Sequence, residues 1–180
     1  MKLSIPDIKY KDSFLEALSE FDTNGRSIDL LKLDAESLKN NFADHVQKLI
    51  DQSKGKNLPS GWVPHTTYWI IDDDEFIGVI DLRHELIPAL EKYGGHIGYA
   101  IRPTKRNQGY GTKALRMLLP LAAQIGIKKL LITCDTDNIA SVKIIELNGG
   151  ILQDEIQNEG RGMLTCRYWL ELPPARRITD

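Results

Sequence analysis

Residues 106–114 read RNQGYGTKA, Arg106 to Ala114. Gly109 and Gly111 follow a basic loop and lead into a run with Leu115, Leu118, Leu119, Ala122 and Ile125 at helical spacing. Backbone without side chains at the start of a helix lets N–H groups close on an anion. The stretch therefore reads as a phosphate-binding turn. Which phosphate it suits depends on the residues around the glycines.

Three patterns compete for it. Gly109, Gly111 and Ala114 fit the dinucleotide fingerprint GxGxxG/A, with Asp135 near the place of a ribose-binding acid. In that fingerprint the first glycine follows the strand almost directly. Here eight positions separate Ile101 from Gly109, and Arg102, Lys105 and Arg106 fall among them. Only about 70 residues follow the loop, too few for a doubly wound sheet. A nucleotide-hydrolase loop needs GxxxxGK[ST], a spacing that GYGTK lacks. The third pattern, R/Q-x-x-G-x-G/A, is met by Arg106, Gly109 and Gly111.

Outward from the loop, HIGYAIRP precedes it as a strand, and KKLLITCD follows the helix as another. NIASVKIIELNGG is a helix closed by two glycines, and ILQDEIQ with MLTCRYWLEL forms a hairpin across NEGRG. Upstream, TYWIID and FIGVIDLRH form a hairpin across DDDE, with ELIPALEKYGG as a connection. Apolar spacing predicts helices over 11–22 and 35–52, joined by a loop at 23–34, and KGKNLPSGWVPHT is a second loop. Pro120 lies inside the helix after the glycines, where a lost backbone bond predicts a kink or an early end. The order is helices, a strand meander, then strand–helix–strand–helix–hairpin. That order means a mixed sheet with helices packed on it, an α/β (α+β) chain.

The loop, the strand ending in IRP, the strand LLITCD and the helix opening Asn138-Ile-Ala-Ser141 together resemble the GNAT superfamily of acetyl-CoA-dependent N-acetyltransferases. Within it the chain looks most like a bacterial branch of poorly defined substrate, marked by IDLRH (80–84) and YGGHIGY (93–99). The resemblance covers roughly residues 67–170. It implies a mostly antiparallel central sheet with a splayed parallel pair and flanking helices. It also implies one domain over 1–180, with an acceptor side at 1–66 and an acetyl-CoA-binding core at 67–172.

Coenzyme A ends in a pyrophosphate, which the resemblance assigns to Arg106, Asn107, Gln108, Gly109, Tyr110, Gly111 and Thr112. Pantetheine would lie in the splay against backbone from Tyr99 to Ile101, and Asn138 and Lys143 would border it. Asn138 also reads as a helix N-cap, and Lys143 equally as a solvated helix position. An unpaired strand N–H in the splay could stabilise the oxyanion. Transfer needs a neutral amine, so a general base is useful; His84, Glu85 and His96 are the candidates, each with a structural role as its alternative. His45 and His65 carry no such claim. Many relatives place a thiolate-protonating tyrosine four residues after the serine of N-x-x-S; here that residue is Ile145.

Composition fits this reading. The 180 residues are 42% hydrophobic and 27% charged, with net charge −2, which argues against a dedicated nucleic-acid binder. No apolar run suits a signal peptide or a membrane span, and Cys134 and Cys166 read as free core thiols. No histidine pair has metal-ligand spacing. The expectation is a cytoplasmic, metal-free enzyme that moves an acetyl group from acetyl-CoA to a primary amine of a small molecule or peptide. It would have no nucleic-acid or membrane partner, with a homodimer left open. The alternative is an acyl-CoA-binding sensor without turnover, which Ile145 motivates.

Overall fold

The computed structural model describes residues 1–21, 33–160 and 162–172. The loop expected over 23–34 falls almost wholly outside them. Three elements open the chain: β1 (Lys2–Ser4), α1 (Lys11–Leu18) and α2 (Ala35–Ser53). Asp34 caps α2, its carboxylate accepting the N–H groups of Glu36 and Ser37. The short β1 lacks any alternating pattern of its own and had no sequence signal. It is ordered by pairing antiparallel to β2 (His65–Asp72).

Hairpin formation by β2 and β3 (Glu75–Arg83) follows from Asp73 and Asp74, both at positive φ (46° and 60°), the backbone a two-residue turn between twisted strands requires. Gly78 marks a bulge in β3, where the register with β2 shifts. A Cβ there would sit 2.2 Å from the Ala100 carbonyl oxygen, so no larger residue fits. The connection expected at 85–95 contains a short helix, α3 (Pro88–Tyr93), started by proline at its first position.

Next come β4 (Ile97–Ile101), α4 (Tyr110–Gln124), β5 (Lys129–Asp135), α5 (Ile139–Glu146), β6 (Ile151–Asn158) and β7 (Met163–Glu171). Pro120 neither kinks nor ends α4, which corrects that expectation. The proline lies on the exposed side, where water can satisfy the carbonyl it leaves free. The irregular helix is instead α2, at Asn41 (φ −120°, ψ 27°), whose carboxamide donates to the Ser37 carbonyl.

Two sheets result, in the orders β1-β2-β3-β4 and β5-β7-β6, and every ladder in them is antiparallel. Strand alternation divides the core by face. Ile70, Ile80, Leu82 and Ile97 join α4, α5 and the second sheet, around Leu115, Leu118, Ile132 and Ile145. Trp69, Ile71, Phe76, Val79 and Ala100 face the other way and pack on α1 and α2 through Phe14, Phe42 and Val46. Thus β2, β3 and β4 have a helix layer on each side.

Candidate active site at the gap between the sheets

Where a splayed parallel pair was expected, β4 and β5 share no ladder at all; they belong to different sheets. One residue joins them. The His96 N–H donates to the Leu131 carbonyl at 2.7 Å, and the Leu131 N–H donates back to His96 Nδ1 at 2.9 Å. Gly95 makes the approach possible, since at φ 60° a Cβ would lie 2.5 Å from the Leu131 oxygen. The Arg83 guanidinium donates to the Gly94 and Gly95 carbonyls and holds this turn from behind. Past His96 no backbone hydrogen bond among the described residues joins β4 to β5, so that edge of β4 presents unpaired groups to the gap.

The glycine loop closes one end of this gap. Gly109 caps α4 at φ 81°, and nothing lies within 4 Å of where its Cβ would be. The left-handed backbone and the open space above it make a cradle that a side chain would fill. Lys113 donates the first helical bond to the Gly109 carbonyl, so the preceding N–H groups of the turn have no acceptor in the helix. Arg106 Nε donates to the Ile101 carbonyl and Gln108 Nε2 to the Thr104 carbonyl, which fold the loop against the end of β4. Tyr110 does not turn to the gap; its hydroxyl donates to Asp72, which also pairs with the N-terminal ammonium at 2.6 Å. Gly111 is buried for packing, since a Cβ would come 2.7 Å from Ile144.

On the far side stands α5. The Asn138 carboxamide caps it, accepting from the Ser141 N–H at 3.1 Å, so its side-chain oxygen is engaged there. Lys143 is exposed. Asn148 Nδ2 donates to the Thr112 carbonyl and ties α5 to the first turn of α4. The Tyr99 hydroxyl projects between β4 and α5 beside Ser141. It is buried without a well-formed hydrogen bond among the described residues, and burial pushes its pKa up to about 12. Ile145 is fully buried against Gly150, a core position rather than one on the gap. The elements that carry the residues expected to hold coenzyme A, β4, the glycine loop and α5, thus border the gap, with Tyr110 turned away from it and Gly111 packed on Ile144.

The expected bases do not converge. His96 holds the rung between the sheets; its Nδ1 lone pair is spent on Leu131, and burial pushes its pKa down to about 4. His84 shares a 2.8 Å hydrogen bond with Thr66 Oγ1, and burial, then His65 nearby, lowers its pKa. Glu85 is exposed.

A different set lines a cavity of about 150 Å3 on the α1–α2 face. From α2 come His45, Lys48, Leu49 and Gln52, one stripe at i, i+3, i+4 and i+7. The sheet supplies His65, Thr67 and Trp69 from β2 and Val79 and Asp81 from β3; Phe14, Leu33 and Trp62 complete the walls. Thr67 donates to Asp81 Oδ1 at 2.6 Å. His65, 8% exposed, meets the Val63 carbonyl through Nδ1 at 3.1 Å. A carbonyl only accepts, so Nδ1 carries the proton and Nε2 of the neutral ring keeps its lone pair. Sequence reasoning missed both residues. One signal was available: Asp81 is a carboxylate in the apolar run FIGVIDL, in register with Thr67 and Gly98.

Among the described residues no helix is long and apolar enough to cross a membrane, and no group of three His, Cys, Asp or Glu side chains could hold a metal ion. The family model of the GNAT acetyltransferase domain matches residues 30–151. The chain belongs to this family. GNAT enzymes move an acetyl group from acetyl-CoA to an amine. Solved structures share this GNAT fold at low identity. The ribosomal alpha-N-protein acetyltransferase RimL in complex with coenzyme A is 21% identical, with TM-score 0.70 over 94% of this chain and 93% of that one. The microcin self-immunity acetyltransferase MccE in complex with acetyl-CoA and AMP is 18% identical, with TM-score 0.68 over 94% and 91%. A spermidine N-acetyltransferase SpeG chimera from Vibrio cholerae and hSSAT is 13% identical, with TM-score 0.59 over 95% and 96%. No curated protein matches the chain in sequence.

Proposed function

We propose that this GNAT enzyme acetylates a primary amine that enters the α1–α2 cavity and meets acetyl-CoA across β4. The observation that carries the reading is the position of one strand. Gly98 of β4 is the cross-strand partner of Asp81, which lines the cavity, while the free edge of β4 borders the gap beside the glycine loop. Acceptor and acetyl donor would thus reach the same stretch of backbone from two sides.

Acetyl-CoA supplies the activated thioester carbonyl. Gly109 and the first turn of α4 would take its pyrophosphate, with Arg106 adding charge at the rim; Asn107, Gln108 and Thr112 shape that turn. Asn138 would serve through α5, positioning the helix start rather than donating freely, and Lys143 is reserved for a phosphate at long reach. Asp81 attracts the acceptor ammonium, and His65 Nε2 takes one of its protons, directly or through water. The neutral nitrogen then attacks the carbonyl carbon. An unpaired N–H on the edge of β4 stabilises the oxygen as it becomes negative. When the C–N bond has formed and the C–S bond breaks, Tyr99 beside Ser141 donates a proton to the leaving thiolate, and the second proton that the nitrogen sheds on becoming an amide restores the Tyr99 phenol through water. The base assignment therefore passes from His84, Glu85 and His96 to His65, and the acid role left open by Ile145 passes to Tyr99.

The neighbours, a ribosomal alpha-N-protein acetyltransferase, a microcin self-immunity acetyltransferase and a spermidine N-acetyltransferase chimera, differ too much among themselves to name the acceptor. The test is calorimetric titration with acetyl-CoA, followed by a thiol-release assay over a panel of primary amines. Binding with amine-dependent release is the expected result. Absence of binding at millimolar ligand would overturn the reading. Binding without release for any amine would support the sensor that the buried Ile145 first suggested. Reduced Cys134 and Cys166 fit the proposed cytoplasmic setting.

A further inference from the structure

Two basic side chains in the cavity wall bind no carboxylate among the described residues. His45 and Lys48 line the cavity from α2, one turn apart on its inner stripe. Lys48 has an acid one turn away on either side, Asp44 and Asp51, yet pairs with neither. Asp51 instead accepts from Gln47 Nε2 at 3.0 Å. The half-buried His45 ring lies 5.8 Å from Phe14 and 6.2 Å from Phe42 between centres, and neither of its nitrogens has a hydrogen-bond partner among the described residues. Burial, then the Lys48 charge, lowers its pKa, so the field of the lysine reaches into the wall. An imidazole N–H beside an ammonium makes a pair of donors, and one oxyanion placed between them satisfies both.

The shape of the slot sets this pair apart from the base. Gly55 approaches Pro64, the neighbour of His65, so the C-terminal end of α2 lies at the His65 end of β2. Lys48 and His45 stand back from Ser53, the last residue of α2, by about 8 and 12 Å along the helix. Trp69 is about 13 Å from His65 along β2. Phe14, 4.9 Å from Trp69 between ring centres, ties His45 to that far end. Leu49 lies between the two ends on α2, where it suits methylene groups. An α-amino acid holds its nitrogen and carboxylate on one carbon and is too short for this span. A chain of several bonds between them fits it.

We infer that His45 and Lys48 form an anion subsite of the acceptor cavity, and that the acceptor is a primary amine carrying a carboxylate several bonds from its nitrogen. The inference rests on the N-acetyltransferase reading, which brings the amine to His65. Such a spacing occurs in a free ω-amino acid and at a peptide N-terminus whose second residue is acidic.

Trp62 and Trp69 lie in the wall, so intrinsic fluorescence reports occupancy without requiring turnover. The probes are ε-aminocaproate, its neutral amide, hexamethylenediamine, glycine, and a tripeptide amide with aspartate at its second position. Wild type is expected to bind ε-aminocaproate at least tenfold tighter than its amide, the diamine or glycine, and added salt is expected to narrow the first ratio. Lys48→Met is expected to bring that ratio near one, Lys48→Arg to keep most of it, and His45→Leu to reduce it severalfold. Acetyl-CoA affinity stays unchanged in all three, and thermal melts establish that they fold. Equal binding of acid and amide, a ratio that survives Lys48→Met, or preference for glycine or the diamine would overturn the inference. Tripeptide binding equal to that of ε-aminocaproate assigns the subsite to chain termini; weaker binding assigns it to small molecules. The predicted ratio without thiol release would support the anion subsite and sink the transferase reading. Thiol release with neutral amines and no ratio would do the reverse.

Discussion

The side chains that matter most differ in what holds them. His65 is fixed by the Val63 carbonyl, which leaves Nε2 to act, so His65→Ala should lower kcat by about a hundredfold or more with little change in acetyl-CoA affinity. Steady-state thiol release and calorimetry read the two quantities separately; an unchanged kcat would remove His65 from the mechanism. Tyr99 presents the opposite case, a buried hydroxyl without a well-formed hydrogen bond. Tyr99→Phe should lower kcat by about tenfold and leave the melting temperature unchanged or higher, since an unsatisfied group is removed. A large loss of stability would instead mean that the hydroxyl is structural. Gly109 separates binding from folding. Alanine there meets left-handed strain of about 1–2 kcal/mol but no steric neighbour. Gly109→Ala should therefore weaken acetyl-CoA at least tenfold while costing only a few degrees in the melt.

Among the elements, the join between β4 and β5 is the one whose chemistry titrates. His96 accepts from Leu131 only while Nδ1 is unprotonated, and its folded pKa of about 4 lies below the ordinary 6.5. The unfolded chain binds that proton first. The stability from the neutral ring is thus complete above pH 6.5 and lost as the pH falls toward 4, a total of about 3 kcal/mol. His96→Ala should lower stability near pH 7.5 by about 2 kcal/mol and flatten this step, whereas His96→Asn keeps an acceptor and recovers part of the loss. Urea midpoints at pH 7.5 and 5 decide it; a wild-type midpoint indifferent to pH would contradict the assignment. Local pattern announced most of these elements. The alternation in β2 to β4, the Asp73–Asp74 turn and the Asn138 cap were all legible. Two features were not, because they depend on partners far away in sequence. The β1 strand exists through its pairing with β2, and His96 gave no sign that Leu131 would claim its lone pair. Pro120 misled for a related reason: its cost falls on an exposed carbonyl that water repairs.

For the whole molecule, an ion network around one buried arginine joins the helical layer to the cofactor loop. Arg102, 4% exposed and just past β4, pairs with Glu20 at 2.5 Å, Glu16 at 3.1 Å and Glu75 at 3.0 Å, while Lys105 pairs with Glu75 at 2.6 Å. The Arg102 guanidinium holds Glu20 down to about 2, so this contribution is present above pH 4.5 and fades as the pH falls below it. Arg102→Leu should cost about 1.5–3 kcal/mol, chiefly through the half-buried Glu20, and should weaken acetyl-CoA through the loop it anchors. Loss of stability with no change in affinity would confine the network to folding. The cofactor side of the site was readable because a phosphate turn is local in sequence. The acceptor side was not, because its cavity is assembled from α1, α2, β2, β3 and the 54–64 loop, whose residues carry no shared spacing. The central claim is that one strand brings a cavity-bound amine to a thioester. Its most direct measurement is thiol release from acetyl-CoA by wild type and His65→Ala, with and without the panel amine that wild type acetylates fastest, together with mass analysis of the amine. The account predicts N-acetylated product in step with released thiol and about a hundredfold loss in the variant. Thiol release that ignores the amine, or equal rates in the two proteins, would contradict it.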